Sequence, residues 1–403
     1  MKQYFKHLYA TLFLAFIVII SAHAQKWQWA YSDGNNDSPP EYGSRVLAGN
    51  NGDIYFLGTE SYSFSSSQGD VVIFNRFIQK RTSDGQFISN FSVHKVKQSN
   101  SGASMERLSK DNGSNIFLCG SIYDEYVFDT IKVSGGTDGY IAKINGNNRC
   151  EWVKTKRAND VKSVAFDDEN NMYITGRVVG NTYIDTFELH NTGSGSLMFI
   201  AKLDSNANCL WVKQSFGGNN EFTQVLVSGQ YIHTWGYLAD TCTVFDNDAY
   251  CPTGSFLMQL DMSGKVQWFN SFKKLSGAGG YNGMGVDKNG NSYSTGNFNG
   301  IICLGSDTLY KRDGMIEAFL VKHKPDGSVA WHRQIYSDST VRISCIHTND
   351  EGYTYIAGKF SGKTVFGKDT VIAKPVFNLS RTLDCNMFIA RYDADGNYLG
   401  VKT

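Results

Sequence analysis

NNMYITG at residues 170–176 and FIAKLDSNANCLWVK at 199–213 decide the fold, because their outline returns along the whole 403-residue chain. Two anchors define the outline. The first is an aromatic three residues before a glycine: Tyr55 and Gly58, Phe117 and Gly120, Tyr173 and Gly176, Tyr293 and Gly296, Tyr355 and Gly358, with His233 and Gly236 as a variant. Successive glycines lie 62, 56, 60, 60 and 62 residues apart. The second anchor is a tryptophan position, filled by Trp152, Trp211, Trp268 and Trp331, with Ser89 and Gly400 as degenerate members.

The residues before that tryptophan are patterned in all six units. Twelve positions back stands Phe77, Tyr140, Phe199, Phe256, Phe319 or Phe388. Nine back stands Lys80, Lys143, Lys202, Gln259, Lys322 or Arg391. Four back stands Gly85, Gly264, Gly327 or Gly396, with Asn148 and Ala207 in the other two units. A period near 60 residues signals a repeat architecture. Aromatics at 14% and 41 glycines, against 5 prolines, point to short strands and tight turns.

Each unit reads as four strands, A to D. Strand A is an apolar segment such as 161–166, 283–286 or 342–346. A turn such as Asn289-Gly290 leads to strand B, which carries the aromatic-x-x-Gly element. A longer connection leads to strand C, and a tight turn joins it to strand D with the tryptophan. Asp84-Gly85, Asp326-Gly327 and Asp395-Gly396 supply the C–D turn with residues that tolerate positive φ. Four short strands bury both faces of their sheet only by stacking on further sheets. The expected fold is therefore all-β, a single β-propeller of four-stranded blades over 25–403, built from six repeats of about 60 residues. Six blades are favoured; seven would need further structure in 378–403. KWQWA at 26–30 resembles an orphan strand D, and an N-terminal strand here is expected to help close the ring. The strand B glycine is expected to allow a close backbone approach near the crowded centre.

Residues 1–24 read as a signal peptide: Lys2 and Lys6, an apolar run at 12–20, and Ala22-His23-Ala24 before the cut. The expected address is export to the periplasm, cell surface or medium. No lipid-anchor cysteine stands at the cut, and no span is expected after cleavage. The chain holds 38 basic and 38 acidic residues; removing Lys2 and Lys6 leaves 36 − 38 = −2. Nothing in that balance supports nucleic-acid binding. Cys242 and Cys251 flank a loop and form the best disulfide candidate in an exported chain. Cys150 and Cys209, each two before a tryptophan, read as small strand residues.

The pattern resembles the secreted bacterial β-propeller repeat family, whose units run W-x-K…GN-x-Y-x-TG…D-x-F-x-AK-x-D-x-x-G-x-x-x-W. The residues Asn291-Ser292-Tyr293-Ser294-Thr295-Gly296 and the 199–211 stretch carry the likeness, which covers 27–403. It implies an extracellular or envelope propeller, often on proteins with a C-terminal sorting domain, and it specifies a scaffold, not an activity. Residues 261–268 are also similar to the tryptophan-docking repeat of quinoprotein dehydrogenases. Those enzymes have eight blades, a quinone with calcium, and an adjacent Cys-Cys pair; this chain has no adjacent cysteines.

No nucleophile elbow, P-loop or HExxH appears, so no catalytic or cofactor-binding residue is named. Asp393, Asp395 and Asn397 are spaced like the start of a calcium loop and are the one metal candidate, with a hairpin turn as the bland alternative. Asp129-Thr130-Ile131, Asp307-Thr308-Leu309 and Asp369-Thr370-Val371 recur in the B–C connections, with Asp185-Thr186-Phe187 as a fourth. They resemble the Asp-Thr-apolar O-glycosylation site of some envelope bacteria, which makes Thr130, Thr308 and Thr370 candidates; a turn entering an extra strand is the alternative. The expected function is a non-catalytic binding or scaffold module for an envelope or extracellular protein or glycan. A polysaccharide hydrolase or lyase with carboxylates in the axial funnel is the competing reading. The connections 59–70, 237–255 and 373–385 differ most between units and are the candidates for specificity.

Overall fold

The computed structural model describes residues 41–49, 52–66, 69–95, 104–191, 195–216, 218–239, 242–244, 249–251, 253–312, 314–374, 376–378, 381–383 and 386–403. The signal-like segment and KWQWA lie outside them. The described residues contain strands and no helix, arranged as a β-propeller.

Strand A of successive units is Glu41–Ala48, Ser104–Lys110, Asp160–Phe166, Asn220–Ser228, Lys273–Val286 and Thr340–Thr348. Strand B is Ile54–Ser66, Ile116–Ile122, Met172–Val179, Tyr231–Leu238, Ser292–Leu304 and Thr354–Ser361. Strand C is Gly69–Arg81, Asp138–Ile144, Ser196–Leu203, Gly254–Asp261, Glu317–His323 and Asn386–Tyr392. Strand D is Phe87–Lys95, Cys150–Lys156, Cys209–Phe216, Val266–Ser271, Val329–Ser337 and Tyr398–Lys402. Each set pairs A-B-C-D in one antiparallel sheet. The A strands touch one another from unit to unit, which makes A the inner strand and D the outer one.

The sequence anchors turn out to be one row of cross-strand partners. Tyr173 pairs with Lys202 and Lys202 with Trp211; Tyr293, Lys322 and Trp331 repeat this in unit 5. Each row lies beneath the C–D turn of the next unit. Trp331 Nε1 donates to Ala394 O at 3.0 Å, and Lys322 Nζ donates to the same oxygen at 3.0 Å. Trp268 Nε1 donates to Pro325 O at 3.1 Å, and Lys80 Nζ to Gly146 O at 2.9 Å. The lysine also lies over the strand B ring, 5.1 Å from Tyr173 and 5.0 Å from Tyr293. Covering the indole contributes roughly 2–3 kcal/mol per row, against about 1 for the hydrogen bond and about 1–2 for the cation–π contact. Ring burial is therefore the largest part.

The turn residue above the row is in the left-handed region in all six units: Gly85, Asn148, Ala207, Gly264, Gly327 and Gly396 have φ between 60° and 91°. At Gly327 and Gly396 a Cβ would also come within 2.7 Å of Trp268 and Trp331. At these two turns both strain and the indole below favour glycine, whereas unit 3 carries Ala207 in the same position above Trp152.

The strand B glycine faces the strand C aromatic, as in Gly176 with Phe199 and Gly296 with Phe319. Opposite it, strand A carries a β-bulge in every unit, for example between Val161 and Ser163 and between Tyr281 and Gly283. The bulge turns a carbonyl onto the glycine: a Cβ at Gly296 would meet Gly280 O and the Phe319 ring, each at 2.3 Å. The close approach expected from sequence is therefore made inside the sheet, between neighbouring strands.

The four-strand reading of each unit omitted a further element. The B–C connections hold hairpins, and three of them pair with strand D of the preceding unit. Glu125–Phe128 joins strand D of unit 1, Cys242–Val244 that of unit 3, and Lys363–Phe366 that of unit 5. This covers outer edges that would otherwise be open to further pairing.

One row departs from the pattern: unit 4 carries His233 opposite Gln259, both fully buried. Burial lowers His233 to about 3 and His323 to about 4, from 6.5. Both are neutral in the fold, so their contribution is present above pH 6.5 and is lost as pH falls towards those values, while the unfolded chain takes up the protons. Urea unfolding between pH 7 and pH ~4.5 is expected to show a steep loss of stability that is shallower in His233→Tyr; identical slopes would contradict this.

Candidate functional site

Strands A line the axis, and three successive ones bring opposite charges together. Lys162 stands at the bulge of unit 3. Its Nζ lies 3.3 Å from Glu106 of unit 2, 3.5 Å from Asp160 of its own strand and 3.7 Å from Glu221 of unit 4. Arg177 Nη2 lies 3.2 Å from the same Asp160 Oδ2, and Asp160 Oδ1 is buried without a hydrogen-bond partner among the described residues. The bulge matters here because its extra residue re-aims a side chain towards the centre.

Burial raises the Asp160 carboxyl above its ordinary value, with Lys162 and Arg177 pulling the other way. Burial opposes charge on Lys162 too, but Asp160, Glu106 and Glu221 outweigh it and raise the ammonium above its usual value. Cations gather nearer units 1 and 6. Burial lowers the Arg107 guanidinium to about 10, with Arg45 adding to the effect, and Lys110 adds to the burial that lowers His347.

A glycosidase-type pair requires two carboxylates that face each other across open space, roughly 5–9.5 Å apart. These three instead converge on one ammonium. The arrangement ties units 2, 3 and 4 together at the axis and leaves little free carboxylate for proton transfer. Glu106 and Lys162 each stand fourteen residues before a strand B glycine, but Asp160 and Glu221 do not, so the repeat alone does not assemble the cluster.

The sequence candidates fall elsewhere. Asp393 Oδ1 accepts from Asp395 N at 3.0 Å and Asn397 N at 2.7 Å, and Oδ2 accepts from Asn397 Nδ2 at 2.9 Å. Its oxygens therefore serve the turn. Asp204 and Asp287 do the same in other units, and among the described residues no group of three or more His, Cys, Asp or Glu is arranged around a metal position. Cys242 and Cys251 are direct register partners in their hairpin, but their side chains lie outside the described set, as does Cys385.

The Asp-Thr elements have a structural account. Asp129 pairs with Arg149 at 2.8 Å, Asp185 accepts from Cys209 N at 2.6 Å, Asp307 meets His332 Nε2 at 3.1 Å, and Asp369 accepts from Tyr398 at 2.8 Å. Asp185, Asp307 and Asp369 pin their hairpins to strand D of their own units, and Asp129 pins its own to the residue just before strand D. Thr130 and Thr370 are exposed and Thr308 is half-buried.

A second feature appears where the B–C connections gather. Tyr123, Tyr183, Tyr237 and Tyr310 are exposed, one from each of units 2 to 5, and so are Met315, Ile372 and Met387 of units 5 and 6. Asp160 begins its strand at this same end.

No protein-family model matches the chain, and no curated protein matches it. Similar solved structures include a Dos1 propeller, at 9% identity over 78% of this chain and 74% of that one, with a TM-score of 0.42. A DUF4221-family protein from Bacteroides vulgatus is 11% identical over 80% and 94% of the two chains, with a TM-score of 0.36. The NanB sialidase from Streptococcus pneumoniae is 8% identical over 92% of this chain and 62% of that one, with a TM-score of 0.36. Likenesses this distant carry no argument about activity.

Removing Lys162 would leave three carboxylates crowded at the axis. Lys162→Met is expected to lower stability at pH 7 by about 2–3 kcal/mol, less than a fully buried pair because Glu106 and Glu221 are partly solvated. Without the ammonium the carboxyls rise further, and the folded state binds protons that the unfolded state does not. The deficit should therefore shrink as pH falls towards ~4. A deficit independent of pH in urea unfolding would refute the cluster's role.

Proposed function

We propose that the chain is an exported, non-catalytic propeller of six blades, closed with the help of its N-terminal strand, that binds a protein or glycan partner in the envelope or outside the cell. The observation that carries the binding role is the rim of exposed tyrosines on the B–C connections. Tyrosine gives a large rigid contact with one polar atom at low entropic cost, and binding surfaces are enriched in it and in methionine. Met387, 80% exposed, and Met315 favour a protein partner over a purely glycan one. The axial carboxylates, held on Lys162, speak against the hydrolase or lyase reading.

Export is supported by the signal-like composition of 1–24. Closure is supported by Gly400, where the row of unit 6 lacks a tryptophan, and by KWQWA at 26–30, which resembles a strand D.

Replacing Tyr123, Tyr237 and Tyr310 together by Ser tests the role. Capture of partners from envelope extract is expected to be lost, while each change costs no more than about 0.5 kcal/mol of stability because the sites are exposed. Capture of the same partners by the variant would sink the proposal.

A further inference from the structure

The interface between units 4 and 5 breaks the row rule at three places, and all three breaks are polar. His233 and Gln259 replace the tyrosine and lysine. His323 stands where units 3 and 4 carry Leu203 and Leu260, each paired just past the C–D turn. All three are buried. Both ring nitrogens of His233, both amide atoms of Gln259 and Nδ1 of His323 lack a hydrogen-bond partner among the described residues. Groups of this kind are costly to bury; unit 5 fills the row with a lysine that bonds the next turn, and units 3 and 4 fill the third position with leucine.

A cleft of about 480 Å³ opens at this interface, a size that suits a small-molecule site. His323, 2% exposed, lies in its wall and stacks on Trp268 at 6.1 Å. Lys273, Ser271, Ser328 and Tyr281 are among the residues that line the rest. No aspartate or glutamate is among the lining residues, so Lys273 leaves the cleft with a single positive charge. The serine hydroxyls offer partners for ligand hydroxyls. We propose that this cleft binds a single-ring sugar acid, its carboxylate directed to Lys273 and the imidazole of His323, and its hydroxyls to Ser271 and Ser328. The site is separate from the tyrosine rim and does not rest on the binding role assigned there.

The test uses the full chain with glucuronate as the probe and glucose as the neutral comparison, followed by titration calorimetry and by the His323 imidazole resonances. Glucuronate is expected to bind saturably and shift those resonances, with glucose at least tenfold weaker. His323→Leu restores the residue that the repeat uses in units 3 and 4, so it should fold with an unchanged or higher melting temperature and bind glucuronate at least tenfold more weakly. Lys273→Ala should weaken glucuronate and leave any residual glucose binding alone. Absence of saturable glucuronate binding, equal affinity for glucose, or unchanged affinity in His323→Leu would each overturn the proposal.

Discussion

An indole covered by the turn of the next unit is the contact on which the rest of this molecule depends. A four-stranded sheet has two faces and too few residues to bury both, so each unit is stable only against its neighbours. The Tyr–Lys–Trp row meets that need with one ring, one cation and two donors aimed at a single turn carbonyl, as Trp331 and Lys322 do at Ala394. The contact also bears on sequence on the far side: the turn residue is left-handed in every unit. It is glycine above Trp211, Trp268 and Trp331, but Ala207 above Trp152 and Asn148 above Ser89.

Other features follow from the same packing. Sheets pressed together around an axis crowd the middle strands, and the glycine of strand B makes room for the strand C aromatic and the bulged strand A carbonyl. The bulge re-aims a residue towards the centre, where Lys162 gathers carboxylates from three units. At the outside, hairpins from one unit pair with strand D of the unit before, so neighbours are joined at the inner strand, at the row and at the outer edge. The interface between units 4 and 5, whose row leaves buried polar atoms without partners among the described residues, also has a cleft beside it.

Much of the architecture was legible because it repeats. Six agreements at fixed spacing identified the aromatic, the lysine, the tryptophan and the turn residue, and the fold places them as register partners. The outer hairpins were not legible, since their spacing varies: Asp129-Thr130 forms the hairpin tip, whereas Asp307-Thr308 and Asp369-Thr370 begin the returning strand. The axial cluster escaped for a different reason. Glu106, Lys162 and Glu221 are ordinary charged residues in separate units, and only ring geometry brings them within 4 Å. The polar departures His233 and Gln259 were visible as variants of the repeat, but nothing in their spacing showed that they share an interface with His323.

A double-mutant cycle on Trp331 and Gly396 measures the row-under-turn contact directly. Gly396→Ala carries two penalties in the native chain: positive φ and a methyl pressed onto the indole. In a Trp331→Ala background only the φ strain remains. The account predicts that the cost of Gly396→Ala falls by about 1 kcal/mol or more in that background, the coupling expected of residues in contact. An equal cost in both backgrounds would mean that the indole does not bear on the turn, and the units would have to be held together by something else.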